Sequence, residues 1–337
     1  MTDLKTKYLG LELKNPIIVG ASNLITETEA ARKAENAGAA AIVFKSLFEE
    51  QIQLEGLEME EELTAYDHIH AEMTNLFPDL QHAGPDEHLL RLRKIKEAVS
   101  IPVIGSLNAV FSPTWVEYAQ NIEETGVDAL ELNFFAVPKA FDKNEEEIVS
   151  EQIEVVQKVL AKVKVPVSIK LSPFYTNALK IIAAMDQAGA KGFVLFNRLF
   201  QPDIDIEKEG MFFPYNLSSH DDNRLALRFA GLLCGHIKGS ICSSNGIMDG
   251  KDIIKMVLAG ADCVQVVSTL YKNKFTHIQN MIKELTTWME KKNYSTLNDF
   301  RGTLSNKNTS DPFAYKRAQY VDILMKSDSI FDVYPKP

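Results

Sequence analysis

Short runs of apolar, often β-branched residues alternate with longer amphipathic stretches along the chain. Eight strand-sized runs stand out, at residues 16–20, 40–44, 102–106, 129–132, 167–169, 192–196, 240–242 and 263–267. A stretch of helical period follows each of them. Glycine in Asn36-Ala37-Gly38-Ala39, Glu124-Thr125-Gly126-Val127, Gln187-Ala188-Gly189-Ala190 and Leu258-Ala259-Gly260-Ala261 stands where a helix C-cap needs a positive φ before the next strand. Ile101-Pro102-Val103 and Val165-Pro166-Val167 use proline to end the helix instead. Ser112-Pro113 before Thr114-Trp115-Val116-Glu117 reads as a helix start.

Near-continuous apolar strands imply burial on both faces, hence a parallel sheet covered by helices. Eight strand–helix units close most economically into a (β/α)8 TIM barrel, with an open doubly wound sheet as the alternative. No linker or low-complexity tract divides the 337 residues. The expectation is one α/β domain, with the barrel in residues 1–304 and a C-terminal extension in 305–337.

Composition narrows the class further. The chain is 45% hydrophobic and carries a net charge of −10, so no basic field exists to hold nucleic acid or anionic lipid. The apolar runs are too short for a membrane helix, and Met1-Thr2-Asp3-Leu4-Lys5 lacks a signal sequence, which predicts a soluble cytoplasmic protein. The charge is uneven: residues 46–90 contain twelve acids and no Lys or Arg, and removing them would bring the net charge to +2. Such a run reads as a solvated excursion between the second strand and its helix, less often as a partner-docking surface. Cys234, Cys242 and Cys263 fit neither zinc nor disulfide spacing and read as small core residues. Asp67-His68-Ile69-His70 with Glu72 reads as surface decoration, and no metal is assigned.

In a barrel of this kind chemistry belongs at the C-terminal ends of the strands. Those positions are polar here: Ala21-Ser22, Lys45-Ser46, Asn108, Asn133, Lys170 and Asn197. One polar residue ending one strand would mean little, but six convergent ends make a site. Lys170 is the sharpest, because an ammonium flanked by apolar neighbours must find an anion or lose its proton. It reads as a cation stabilising charge on a cofactor, as a Schiff-base amine, or as a lysine snorkelling to the rim. After strands seven and eight, Ser244-Asn245-Gly246 and Ser268-Thr269 offer small residues where backbone can approach a phosphate. The same glycine also serves as a plain turn.

Taken in order, these strand ends resemble the class 1 dihydroorotate dehydrogenases, FMN-dependent barrel enzymes of pyrimidine biosynthesis. The matching pieces span residues 9–304: Asn15-Pro16 leading to Ala21-Ser22, Lys45-Ser46, Glu131-Leu132-Asn133, Lys170-Leu171-Ser172-Pro173, Leu217-Ser218 with Leu225-Ala226-Leu227-Arg228, Gly246-Ile247-x-x-Gly250-x-Asp252, Gly260-Ala261 with Val264-Gln265-Val266, and Asp299-Phe300-Arg301-Gly302. The resemblance implies FMN across the barrel mouth, with its ring near Ala21, Ser22, Lys45, Ser46, Asn133, Lys170 and Asn197. Its phosphate would lie near Ser244, Asn245, Gly246, Ser268 and Thr269. Lys170, Asn133 and Lys45 are then the catalytic candidates, Lys170 facing the flavin N1/C2 edge where charge accumulates on reduction. The resemblance also favours a homodimer acting on a small molecule, with the electron acceptor left open.

The substrate half departs from the family pattern. Members carry Asn-x-x-Cys-Pro-Asn after strand four, or Ser for Cys, that residue being the proton-accepting base. Here the string is Asn133-Phe134-Phe135-Ala136-Val137-Pro138, and Ala136 cannot accept a proton. The Asn-Ser expected after strand six is Asn197-Arg198, and Thr74-Asn75-Leu76-Phe77-Pro78 only echoes a missing substrate loop. Phe134 and Phe135 would make the pocket flatter and more apolar. Lys45, Asn133, Asn197 and Arg198 form the expected substrate set, with Arg198 or Lys139 as anion holders. Tyr175, Ser172 and His220 are replacement proton-transfer candidates. The reading is a dihydroorotate dehydrogenase-like flavin oxidoreductase. Its alternatives are a barrel lyase or aldolase using Lys170 as Schiff base, or a flavin-binding barrel without turnover.

Overall fold

The computed structural model describes residues 2–49, 85–109, 112–134, 141, 144–198, 201–214, 216–310, 315–316 and 318–326. Eight parallel strands form the barrel: β1 Ile17–Val19, β2 Ala41–Val43, β3 Val103–Asn108, β4 Ala129–Asn133, β5 Val167–Leu171, β6 Gly192–Leu195, β7 Ser240–Ser243 and β8 Cys263–Val266. Each pairs with the next, and β8 returns to β1, so the sheet closes. All eight predicted runs are strands of this barrel. The helices alternate with them: α1 Thr28–Asn36, α2 Pro85–Ala98, α3 Ser112–Glu123, α4 Glu145–Leu160, α5 Ala178–Ala188, α6 Asn223–Leu233, α7 Gly250–Ala259, α8 Ser268–Asn273 and α9 His277–Lys292. Two of the predicted glycine stops, Gly189 and Gly260, cap α5 and α7 with φ of 113° and 125°.

Alternation along the strands sorts two cores. Ile17 and Val19 face the helix layer, while Ile18 between them packs inside the barrel with Val43, Ile104, Val194, Cys242 and Cys263. The two cysteines are thus the small core residues expected. An N-terminal hairpin, Thr6–Tyr8 with Leu11–Leu13, adds Tyr8, Leu9 and Leu13 to this inner cluster. A Cβ on Gly192 at the start of β6 would lie 2.5 Å from Leu9, so the hairpin seats against bare backbone at the N-terminal end of the barrel. Burial pushes the Tyr8 phenol well above its usual pKa, with Cys242, Cys263 and Glu131 adding to the shift.

Beyond α9, the backbone amides of Gly302 and Leu304 donate to Val257 and Leu258 on α7. Phe300 is fully buried against Trp288 and Tyr294. A second hairpin, Asp203–Asp205 with Gly210–Phe212, interrupts the β6–α6 connection. It was not foreseen, because its side chains contribute no buried face: Ile204 and Met211 are both exposed. Of the acidic run, 46–49 and 85–90 are described. The latter opens α2 rather than continuing a loop, and Glu49 is buried, accepting a hydrogen bond from Thr114. The remainder, with His68, His70, Glu72 and residues 74–78, lies outside the described residues. No helix among the described residues is long and apolar enough to cross a membrane.

Candidate active site

The C-terminal mouth of the barrel holds a cavity of about 560 Å³, in the range of small-molecule and cofactor sites. Strand ends supply its walls in order. Ala21 and Ser22 follow β1, Lys45 and Ser46 follow β2, Asn108 and Asn133 end β3 and β4, Lys170 sits in β5, and Asn197 with Arg198 follows β6. Ser244, Asn245 and Gly246 follow β7, and Ser268 follows β8. Among the described residues, the structure therefore brings the predicted cofactor- and substrate-binding residues onto one cavity, with Thr269 the exception. Thr269 is fully buried and its hydroxyl donates to the Met248 carbonyl at 2.8 Å, away from the cavity.

Hydrogen bonds fix the mouth from strand to strand. Ser46 and Ser106 share a 2.7 Å hydroxyl contact. The Asn197 side chain donates to the Phe134 carbonyl at 3.1 Å, and Asn245 donates to the carbonyls of Phe196 and Asn197 at 3.0 and 3.2 Å. Two polar atoms are left over: Asn108 Nδ2 and Asn133 Oδ1 are buried without a hydrogen-bond partner among the described residues. Both residues line the cavity, and buried polar atoms of this kind are ordinarily satisfied, so they mark where a ligand's polar edge would fit.

The floor is a buried polar chain. Lys170 Nζ donates to Gln265 Oε1 at 3.2 Å, Gln265 Nε2 donates to Glu131 Oε2, and Glu131 Oε1 lies 3.7 Å from Lys170 Nζ. Glu131 is wholly inaccessible and Lys170 is 8% exposed. Neither Glu131 nor Gln265 was singled out from the sequence as a site residue. The available signal was a charge in Leu130-Glu131-Leu132 and an amide in Val264-Gln265-Val266, since a polar group inside an apolar strand must meet a partner.

Beside the cavity, Gly246 has a φ of +66°, and a Cβ there would lie 2.5 Å from the Asn223 amide and the Ser219 carbonyl. This packing makes Gly246 a necessity of the turn as well as of any close backbone approach. Asp252 on α7 secures the same loop, accepting from the Met248 amide at 3.0 Å and from Asn223 at 2.9 Å. Asn223 in turn donates to the Gly246 carbonyl. Burial alone would raise the Asp252 pKa, but bonds from Lys255, Met248 and His220 outweigh it and hold the carboxyl below its usual range.

The substrate-side candidates take up varied places. Arg198 lines the cavity, but its guanidinium donates to the Asn216 backbone and side chain at 2.7 Å each and pairs with Asp222 at 3.0 Å. Its Nε, Nη1 and Nη2 are each engaged within the protein, so it straps the 216–222 segment rather than presenting a free fork to a substrate anion. Phe134 is buried against Trp115, with ring centroids 4.8 Å apart, and does not line the cavity. Among the replacement bases, Tyr175 donates to Gln152 and burial pushes it up to about 12. The Ser172 hydroxyl accepts from the Phe174 amide, and His220 contacts Asp252. None of the three lines the cavity. Phe135, Ala136, Pro138 and Lys139 lie outside the described residues.

Behind β2, the His88 ring packs on Phe44 with centroids 4.9 Å apart. Burial, helped by the charges of Lys45 and Arg91, drives its pKa down to about 4. An unfolded histidine titrates near ~6.5, so between these values the unfolded chain binds a proton that the folded one refuses. Stability is therefore full above that window and falls as pH drops through it. Urea unfolding at pH 7 and pH 5 should show a loss of roughly 2 kcal/mol attributable to His88, absent in His88→Phe. An equal loss in that variant would remove His88 as the cause.

Comparison with known proteins bears on this geometry. The family described as dihydroorotate dehydrogenase matches residues 3–289, which contain all eight barrel strands. The chain is 27% identical over 312 residues to the dihydroorotate dehydrogenase B (NAD(+)) catalytic subunit of Thermoplasma volcanium, covering 90% of this chain and 98% of that one. The corresponding subunit of Methanocaldococcus jannaschii is 27% identical over 298 residues, covering 86% and 94%. The NAD-dependent dihydropyrimidine dehydrogenase subunit PreA of Escherichia coli is 24% identical over 326 residues, covering 90% and 77%. With its barrel matched from the first strand to the last, the chain belongs to the dihydroorotate dehydrogenase family.

Proposed function

We propose that this protein is an FMN-dependent oxidoreductase acting on the CH–CH bond of a dihydropyrimidine-type ring, with dihydroorotate as the first substrate to test. The observation that carries the reading is the convergence of Lys45, Asn133, Lys170 and Asn197 on one cavity at the barrel mouth. The residues fit the cofactor. Lys170 at the floor would face the electron-rich edge of the ring, Asn108 and Asn133 hold polar atoms in need of partners, and Ser244, Gly246 and Ser268 would leave backbone accessible to a phosphate. FMN, when bound, supplies the hydride-accepting N5 position.

The chain's own residues then bind and orient. Lys45 and Asn133 hold the substrate's polar edge, Asn197 positions it through its place at the end of β6, and Lys170 stabilises the charge that accumulates across the cavity floor. Arg198 acts by fixing the 216–222 segment, which brings Asn216, Leu217 and Ser218 to the cavity wall. Ala136, at the position where the family carries its base, leaves proton removal to another group or to water. A substrate without a carboxylate is compatible with an Arg198 that is already engaged, and relatives include a dihydropyrimidine dehydrogenase subunit. We take the protein to be cytoplasmic and homodimeric, passing electrons to an acceptor outside the chain.

The test is spectroscopic. Purified protein should absorb near ~450 nm, and anaerobic dihydroorotate should bleach it. Bleaching by dihydrouracil but not dihydroorotate would keep the chemistry and change the substrate. A colourless protein that cannot be reconstituted with FMN would overturn the reading.

A further inference from the structure

We propose that Glu131 is a positioning residue for Lys170 and, through the charge of Lys170, sets the reduction potential of a flavin held at the barrel mouth. The inference rests on the flavin reading above and concerns a buried group that the reaction as written does not use.

Glu131 lies in the middle of β4, points into the barrel interior and is completely inaccessible. A carboxylate in such a place is costly unless it is paired, and an apolar residue of similar volume would serve the packing as well. Its pairing is specific. An ammonium only donates and a carboxylate only accepts, so the Gln265 amide between them can stand only one way round, oxygen toward Lys170 and nitrogen toward Glu131. The amide thus registers the position of one charge to the other. Glu131 Oε1 has no hydrogen-bond partner among the described residues and lies 3.7 Å from the Lys170 ammonium. Lys170 therefore has its counter-charge on the interior side and the cavity on the other.

Two consequences follow for a flavin on that floor. The ammonium is held in place by the chain beneath it, and its field at the ring is partly offset by the carboxylate behind it. Low local dielectric makes both effects larger than they would be at a surface. Reduction adds negative charge to the ring, so offsetting the ammonium lowers the potential relative to an uncompensated lysine.

The experiment is the two-electron midpoint potential of FMN bound to the full-length holoprotein, wild type against Glu131→Gln. The amide keeps the shape and removes the charge. The expected result is at least a tenfold tightening of reduced over oxidised flavin, a rise of about 30 mV. Glu131→Asp, which retains the charge, should stay near wild type. A Glu131→Gln holoprotein with unchanged or lowered potential overturns the proposal. In a Lys170→Met background the same substitution should move the potential clearly less, because no ammonium is left for the carboxylate to place or offset. That comparison stands by itself if Glu131→Gln does not fold alone, and a full-sized shift there also overturns the proposal. A wild-type protein that takes up no FMN overturns the flavin reading first, and this proposal with it.

Discussion

Replacing Lys170 with alanine should lower the rate of flavin reduction by roughly 10²- to 10³-fold, the scale seen when one preorganised charge-stabilising donor is removed. The residue is 8% exposed, lines the cavity from β5, and among the described residues pairs with no carboxylate other than Glu131. Its charge is thus directed at whatever occupies the mouth. The substitution has a second effect, because it leaves the buried Glu131 without a counter-charge, and breaking one side of a buried pair costs about 3–5 kcal/mol. The two effects separate in Lys170→Met/Glu131→Gln, which removes both charges. Stability should then return most of the way while the rate stays low. Stopped-flow reduction and urea unfolding on the three proteins read these outcomes. Wild-type reduction kinetics in either variant would remove Lys170 from the chemistry. Borohydride trapping of Lys170 with a carbonyl substrate would assign it the Schiff-base role instead.

Asp252→Ala should be the most damaging change away from the cavity itself. The carboxylate is fully buried and accepts from the Met248 amide, Asn223 Nδ2 and Lys255 Nζ, and it contacts His220 Nδ1 at 2.6 Å. Its own amide donates to Asp249 at the N-cap of α7. Truncation leaves these donors unsatisfied, Asn223 and the Met248 amide among them in buried surroundings. The expected loss is about 3–5 kcal/mol of stability. Gly246 and Met248 belong to the loop that this carboxylate anchors, so FMN affinity should fall together with stability. Asp252→Asn retains the acceptor oxygen and should lose less of both. Equilibrium unfolding and flavin-fluorescence titration decide the point. An Asp252→Ala protein within about 1 kcal/mol of wild type and with unchanged flavin affinity would show that the loop holds itself.

The pair also separates two kinds of residue at the mouth. Lys170 lines the cavity and, in the function proposed above, would meet the ligand directly, whereas Asp252 secures a loop of the cavity wall. Arg198 belongs with the second kind. From the chain alone it reads as a holder of an anionic group, which a guanidinium can bind bidentately. Asn216 and Asp222, eighteen and more residues further on, engage its guanidinium within the protein.

Periodicity and residue type determined the barrel and the rough location of its site. Burial on both faces forces eight near-continuous apolar runs, and a strand must end in something polar where it meets solvent or ligand. Lys45, Asn133, Lys170 and Asn197 were readable for that reason, and their convergence follows from closure of the sheet. The hairpin at 203–212 was not readable, since its exposed side chains carry no buried stripe. Nor was the pairing of Lys170 with Glu131 and Gln265, which stand 39 and 95 residues away and meet only because inward-facing positions of β4, β5 and β8 share one interior. Local pattern records whether a side chain is inside or outside. Which inside groups touch is decided by strand register and by the direction each side chain takes across the barrel, and those exist only once the chain has closed on itself.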